Sequence, residues 1–384
     1  LQESSFMIKN VTLRTLQACL LGVMLLGLAA CAGGGKQVAS ELGPNPALFG
    51  VNMAWTAQVG VIDFPLQVQV QNKMLVAAAT DGAVVAFDGE SGARLWQASV
   101  GSAISAGVGY DGRFASVVTR DNQLVLLDAG RELWRSRLTT QVFTAPLVAG
   151  QRVFVLGADR SLTAFDAQSG RRLWQNQRPG DALVLRQAGV VLAVRDTLVV
   201  GFSGRLAGLN PSSGAVLWDT AIATPRGTND IERLVDLVAG VHRDGDVVCA
   251  RAFQAAVACI DTAARGQLLW RRVAGGAVGL HGDKEQVFGV ESDGRLLAWR
   301  ASDGEPVWQS DKLRFRELGA PLVVGRSVLV GDDAGLVHML ARKDGELLNR
   351  LSTDGTAIAA TPVLAGSTLV VVTRKGGVFG FRPE

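Results

Sequence analysis

Residues 159–174 read Asp159-Arg160-Ser161-Leu162-Thr163-Ala164-Phe165-Asp166-Ala167-Gln168-Ser169-Gly170-Arg171-Arg172-Leu173-Trp174. The apolar run from Leu162 to Phe165 lies between two turn signals and is too short for a helix, so it reads as a strand. Asp166 and Gly170 mark the second turn. An aspartate there bonds its own backbone two residues on, and glycine supplies the positive φ that a tight turn needs. Leu173-Trp174 opens the next strand. The same phrase recurs as Val84 to Trp96, Gly204 to Trp218 (with Asn210 for the aspartate) and Asp293 to Trp308, and in a shortened form from Asp121 to Trp134. Upstream, Ala145-Pro146-Leu147-Val148, Ala320-Pro321-Leu322-Val323 and Ala360-Thr361-Pro362-Val363 mark an earlier strand of the unit.

The spacing turns the phrase into an architecture. Seven of the eight tryptophans form a series at 55, 96, 134, 174, 218, 270 and 308, and Asn349 holds the next place; the mean spacing is 42 residues. Four short strands per unit of about 40–45 residues is a propeller blade. Eight tryptophan-type strands and eight strands preceding them predict an all-β, eight-bladed β-propeller of four-stranded antiparallel blades. The strand at Trp55 lacks a preceding partner and Gly377–Phe381 lacks a following one, so the two chain ends are expected to complete one blade and remove two open edges. This repeat overrides the two or three domains that 384 residues would otherwise imply. The tryptophans are expected to fill the wedges between blades rather than to stack on a ligand. The 46 glycines serve recurring turns, and 48% hydrophobic residues provide a real core. A net charge of +3 argues against a dedicated nucleic-acid binder.

The N-terminal region reads as an address. Met7, the expected initiator, starts a basic stretch with Lys9 and Arg14, and Ala18–Ala30 is an uncharged run of 13 residues. Thirteen residues rise only ~20 Å as a helix, short of a ~30 Å hydrocarbon core, so a signal peptide fits better than a span. Leu28-Ala29-Ala30-Cys31 matches a bacterial lipobox, which makes Cys31 the expected lipidation site, and Ala32 in place of aspartate points to the outer membrane. The expected organisation is therefore a signal over 1–30, a lipidated flexible tether over 31–50 and the propeller over 51–384. Gly33-Gly34-Gly35 and Pro44-Asn45-Pro46 mark the tether, whose 20 residues would span ~25 Å. Cys249 and Cys259 flank a short polar turn. They are either a disulfide in an oxidising compartment or two small buried strand residues, and register decides between them.

Enzyme chemistry is not legible. The three histidines, His242, His281 and His338, have no metal-ligand spacing, and no nucleophile elbow or P-loop occurs. Gly107-Val108-Gly109-Tyr110-Asp111-Gly112 has the spacing of a dinucleotide fingerprint, but it sits in an all-β repeat with no helix to receive a pyrophosphate, and it reads as a strand and a hairpin turn. Neither a metal nor a cofactor is expected. The segment that breaks the repeat is the 52-residue gap between Trp218 and Trp270, with its excess around residues 224–236. Long loops on a rigid ring commonly carry function; the alternative is a solvated insertion packing Ile231, Leu234 and Val235 on itself.

The motif Asp166-x-x-x-Gly170-x-x-x-Trp174 and its siblings resemble the repeats of pyrroloquinoline-quinone dehydrogenases. These are larger eight-bladed propellers that hold the quinone on a tryptophan platform, usually with Ca²⁺, and often have adjacent cysteines. A lipobox, a tether and eight such blades together resemble the BamB family of outer-membrane lipoproteins of the β-barrel assembly machinery, over essentially the whole chain. That resemblance implies a non-catalytic, lipid-anchored scaffold facing the periplasm. It would bind the periplasmic domains of BamA and the rest of the barrel assembly complex, and would meet unfolded outer-membrane clients. The family's two binding segments map onto Leu183-Val184-Leu185-Arg186 and onto Asp230-Ile231-Glu232-Arg233-Leu234 with Asp236. Val238 stands where the family often has a second acidic residue. Leu183, Leu185, Arg186, Asp230, Ile231, Arg233, Leu234 and Asp236 are thus the expected partner-binding residues, with Leu183 and Leu185 expected on one face of a strand. The alternative function is a periplasmic quinoprotein-like propeller enzyme.

Overall fold

A computed structural model describes residues 37–179, 183–225, 228–229 and 233–384. Residues 40–384 form one compact unit. Among the described residues there is no helix, and every strand belongs to one of eight four-stranded antiparallel sheets. Seven blades are meanders of consecutive strands. The first uses β2 (Gln69–Gln71), β3 (Met74–Ala78), β4 (Ala83–Asp88) and β5 (Arg94–Ser99). The eighth joins both chain ends, in the order β1 (Val51–Gln58), β32 (Gly377–Pro383), β31 (Thr368–Val372) and β30 (Val363–Ala365). The string around Gly107 is β6 (Ile104–Tyr110), the inner strand of the second blade.

The two middle strands of a blade are buried on both faces. Leu75, Val76, Ala77 and Ala78 are fully buried, and so are Val84 and Ala86. This is why the middle strands read as unbroken apolar runs, whereas outer strands such as β5 alternate exposed with half-buried residues. The core is a ring of shared layers. One cluster packs Phe154 and Leu162 of the third blade on Leu198 and Leu209 of the fourth, and another packs Val199 of the fourth on Val248 and Ile260 of the fifth.

The outer rim explains the repeated phrase. In seven blades a tryptophan faces a β-bulge and usually a small residue: Ala86 opposite Trp96, Ala164 opposite Trp174, Gly208 opposite Trp218. The indole lies on the turn glycine of the next blade. Gly92, Gly170, Gly214, Gly304 and Gly345 all have φ between +70° and +72°, and a Cβ on any of them would stand 2.5–2.7 Å from the neighbouring indole. The ring nitrogen then bonds that same turn: Trp134 Nε1 donates to Ala167 O at 2.9 Å, and Trp270 Nε1 to Ala301 O at 2.8 Å. The next blade's Asp166 carboxylate in turn accepts from Ser169 N at 2.8 Å. Trp134, Trp174, Trp270 and Trp308 thus grip the next blade through one aromatic contact and one hydrogen bond, whereas Trp55 makes the glycine contact with its Nε1 unpartnered.

Asn349 breaks the series because its neighbour has no such turn. In the closing blade the corresponding connection is the gap between the chain ends, where a Cβ on Gly50 would collide with Glu384. Asn349 bonds the incoming chain instead. Its Nδ2 donates to Phe49 O at 2.9 Å, and its Oδ1 accepts from Asn45 Nδ2 at 3.0 Å. Residues 40–50, expected as free tether, are held along the outer strand of the seventh blade, β29 (Leu347–Ser352). Leu48 N donates to Leu348 O at 2.9 Å, Ser40 N donates to Arg314 O at 2.9 Å in the connection before the seventh blade, and Leu42 packs against the core cluster that contains Leu313. These bonds satisfy both the strand edge and the strap.

Candidate functional site

Each connection from an outer strand to the inner strand of the next blade emerges on the same face of the ring. The two longest are neighbours. Residues 178–190 join β13 (Arg172–Gln177) to β14 (Val191–Val194), and residues 222–236 join β17 (Val216–Ala221) to β18 (Leu237–Asp244). Their stems are fastened together. Asp219 pairs with Arg178 from the first stem and with Arg205 Nε at 2.5 Å. Ile222 N and Ala223 N both donate to Gly204 O at 2.9 Å, and Ala239 N donates to Ala188 O at 2.7 Å.

The loops also meet at their centres. Leu185 N donates to Asp236 Oδ2 at 2.9 Å, which links the two segments marked in the sequence, 51 residues apart. Arg160, in a hairpin turn of the third blade, donates from Nε to Ser203 Oγ at 2.9 Å and from Nη2 to Leu183 O at 3.2 Å. Under the loop is a pocket of about 60 Å³ bordered by Leu156, Val184, Leu185 and Leu237. The Arg186 guanidinium stands 5.5 Å over the Phe143 ring, a cation–π distance. Arg186 also borders the mouth of the axial channel, beside Asp63, Arg120 and Phe143. The channel is a cavity of about 670 Å³ lined by inner-strand residues such as Val241 and His281 and by the connections that lead into those strands.

Leu183, at 39% exposure, and Arg186 present themselves to solvent; Leu185 is half-buried. Arg233 is exposed, Leu234 half-buried, and Val235 is buried in the core between the fourth and fifth blades. Asp230, Ile231 and Cys31 lie outside the described residues. Leu183–Arg186 is not the strand expected from its alternation, because its backbone groups are already taken: Asp236 holds the Leu185 N–H and Arg160 the Leu183 carbonyl. Asp236, expected to face the partner, spends one carboxylate oxygen inside the protein. The sequence reading missed Arg160, Ser203 and Phe143. Cys249 and Cys259 are paired neighbours on β19 (Val247–Ala252) and β20 (Ala256–Asp261), their Cα atoms 3.9 Å apart and their sulfurs joined in a disulfide.

Comparison with known proteins gives this loop pair its context. The family described as outer membrane protein assembly factor BamB matches residues 80–310. The outer membrane protein assembly factor BamB of Burkholderia pseudomallei is 35% identical over 373 residues, 96% of this chain and 97% of its own length. The chain belongs to the BamB family. The crystal structure of BamB from Moraxella catarrhalis superposes with a TM-score of 0.79 at 24% identity, covering 87% of this chain and 100% of that one. The quinohemoprotein alcohol dehydrogenase of Comamonas testosteroni shares the fold at a TM-score of 0.68 and 15% identity, over 88% of this chain and 77% of its own. A quinone site does not fit the residues of this BamB-family ring. Among the described residues no tryptophan borders the channel and Asp63 is its one acidic residue. The tryptophans sit at the outer rim, apart from Trp299, which is buried between the fifth and sixth blades.

Proposed function

We propose that this protein is a non-catalytic scaffold of outer-membrane β-barrel assembly. It is lipidated at Cys31 after removal of residues 1–30, faces the periplasm, and binds the periplasmic domains of BamA through the paired loops 178–190 and 222–236. The observation that carries the reading is the fastening of Leu183–Arg186 onto Asp236, which presents Leu183 and Arg186 from a rigid ring. A planar, permanently charged guanidinium beside apolar side chains is a common anchor of protein interfaces. The strap over residues 40–50 leaves residues 31–39 as the tether, which shortens the reach from the membrane.

The test is affinity purification of the full chain from detergent-solubilised outer membranes. BamA is expected to co-purify with the wild type and to be lost with Arg186→Ala at an unchanged melting temperature. Undiminished recovery with both Arg186→Ala and Leu183→Ala would reject this surface. A mature protein without acyl mass on Cys31 would reject the anchor.

A further inference from the structure

Six blades share one hairpin turn between their middle strands, in which the residue after the apex is left-handed. Its occupants are Gly82 (φ 100°), Asn122 (φ 61°), Arg160 (φ 63°), Gly294 (φ 82°), Gly335 (φ 76°) and Gly376 (φ 85°). The backbone bond that closes the turn is the same in each, and an aspartate before the left-handed residue caps three of them. Arg160 N donates to Gly157 O at 3.0 Å as Gly294 N does to Glu291 O at 2.9 Å, and Asp159 Oδ1 accepts from Ser161 N as Asp81 Oδ1 does from Ala83 N. The turn itself has no use for an arginine. A side chain with a Cβ is disfavoured there, and glycine or asparagine serves better. Strain of this kind persists where the surroundings hold it, and it gathers at functional sites.

The side chain supplies the reason. Arg160 is 8% exposed and crosses from the third blade to Ser203 on the fourth, where its fork also takes the Leu183 carbonyl. Leu183–Arg186 is thereby held at two backbone points, by Arg160 at Leu183 O and by Asp236 at Leu185 N. Resting on the surface proposed above, we infer that Arg160 is a positioning residue: it stands in a strained turn to lock the recognition loop in its binding conformation and itself touches no partner. A loop ordered in advance does not have to be ordered on binding, so the lock appears as affinity.

The test uses Arg160→Gly, which installs the residue four other blades carry and relieves the turn. Two readouts on the full chain separate positioning from structure: hydrogen exchange at the Leu185 amide in the free protein, and binding to purified BamA periplasmic domains. Arg160→Gly is expected to keep the melting temperature within a few degrees, to speed Leu185 exchange, and to weaken binding about tenfold, the scale of one charge-assisted hydrogen bond. Arg186→Ala is expected to weaken binding while Leu185 stays protected. Should Arg160→Gly fail to fold, Arg160→Lys and Ser203→Ala provide the same comparison with the turn retained. Leu185 staying protected without Arg160, or binding unchanged while exchange rises, overturns the positioning role. Binding that survives both Arg186→Ala and Arg160→Gly overturns the surface itself.

Discussion

Gly170→Ala tests the outer rim that joins the blades. Gly170 has φ +70°, and an added Cβ would stand 2.6 Å from Trp134 Cδ2. Gly150, in a turn of the same blade, has φ +56° and nothing within 4 Å. Both substitutions incur the left-handed penalty of roughly 1–2 kcal/mol. Only Gly170→Ala must also displace an indole that bonds Ala167 O, at the ~1–3 kcal/mol typical of overpacking. The expected losses are therefore ~3 kcal/mol and ~1 kcal/mol. At ~2.1 cal/mol/K per residue, the 345 residues of the ring unit have an unfolding entropy near 0.7 kcal/mol/K, so Tm falls by ~4 °C and ~1.5 °C respectively. Calorimetry of the two single variants, and of Gly170→Ala in a Trp134→Ala background, is the assay. In that background the glycine variant should cost no more than Gly150→Ala, because the contact has gone. Equal Tm losses in the two single variants, or full additivity with Trp134→Ala, would refute the wedge between Trp134 and Gly170.

Three further outcomes are expected. Asn349→Ala removes the bonds to Phe49 O and Asn45, so hydrogen exchange at the Leu48 amide should rise at least tenfold with the ring intact; unchanged exchange would show that the strap is held elsewhere. Protein exported to an oxidising compartment, unfolded without reductant, should show no free thiol at Cys249 or Cys259, and titration of two thiols would contradict the cross-strand disulfide. His281 has its pKa lowered from 6.5 to about 4, first by burial and then by the neighbouring His242, against an opposing pull from Asp283. Its Nδ1 accepts from Val323 N at 3.2 Å, which only an unprotonated nitrogen can do. Between pH 6.5 and 4 the unfolded chain holds the extra proton, so stability should fall by up to ~3 kcal/mol as pH drops through that window. His281→Asn should flatten this part of the denaturation profile, and an unchanged slope would reject the assignment.

Much of the fold was legible because its signals are local. A turn glycine and the tryptophan four residues later sit in one stretch of chain, and repetition about every 42 residues exposes the pair six times, from Gly92 and Trp96 to Gly304 and Trp308. The site was legible in part. Leu183–Arg186 and Asp236 were marked as one surface by resemblance, but the alternation of Leu183 and Leu185 misread a loop as a strand. Nothing local shows that Asp236 would take the amide a strand ladder needs. Arg160 did carry a signal in the sequence: Asp159-Arg160 stands where other blades have Asp81-Gly82 and Asp293-Gly294. Its weight appears only once the turn is known to be left-handed.

Taken alone, the amino-acid sequence determined the blade, the count of eight, the closure by both ends and the residue types at each turn, since each depends on short-range chemistry and on period. Tertiary structure decided which side chains meet. Arg160 and Leu183 are 23 residues apart, Leu185 and Asp236 are 51 apart, and Asn45 and Asn349 are 304 apart. They come together because the ring sets consecutive blades side by side and returns the chain to its start, so one loop can grip its neighbour and an asparagine can fill the gap where the eighth turn is missing.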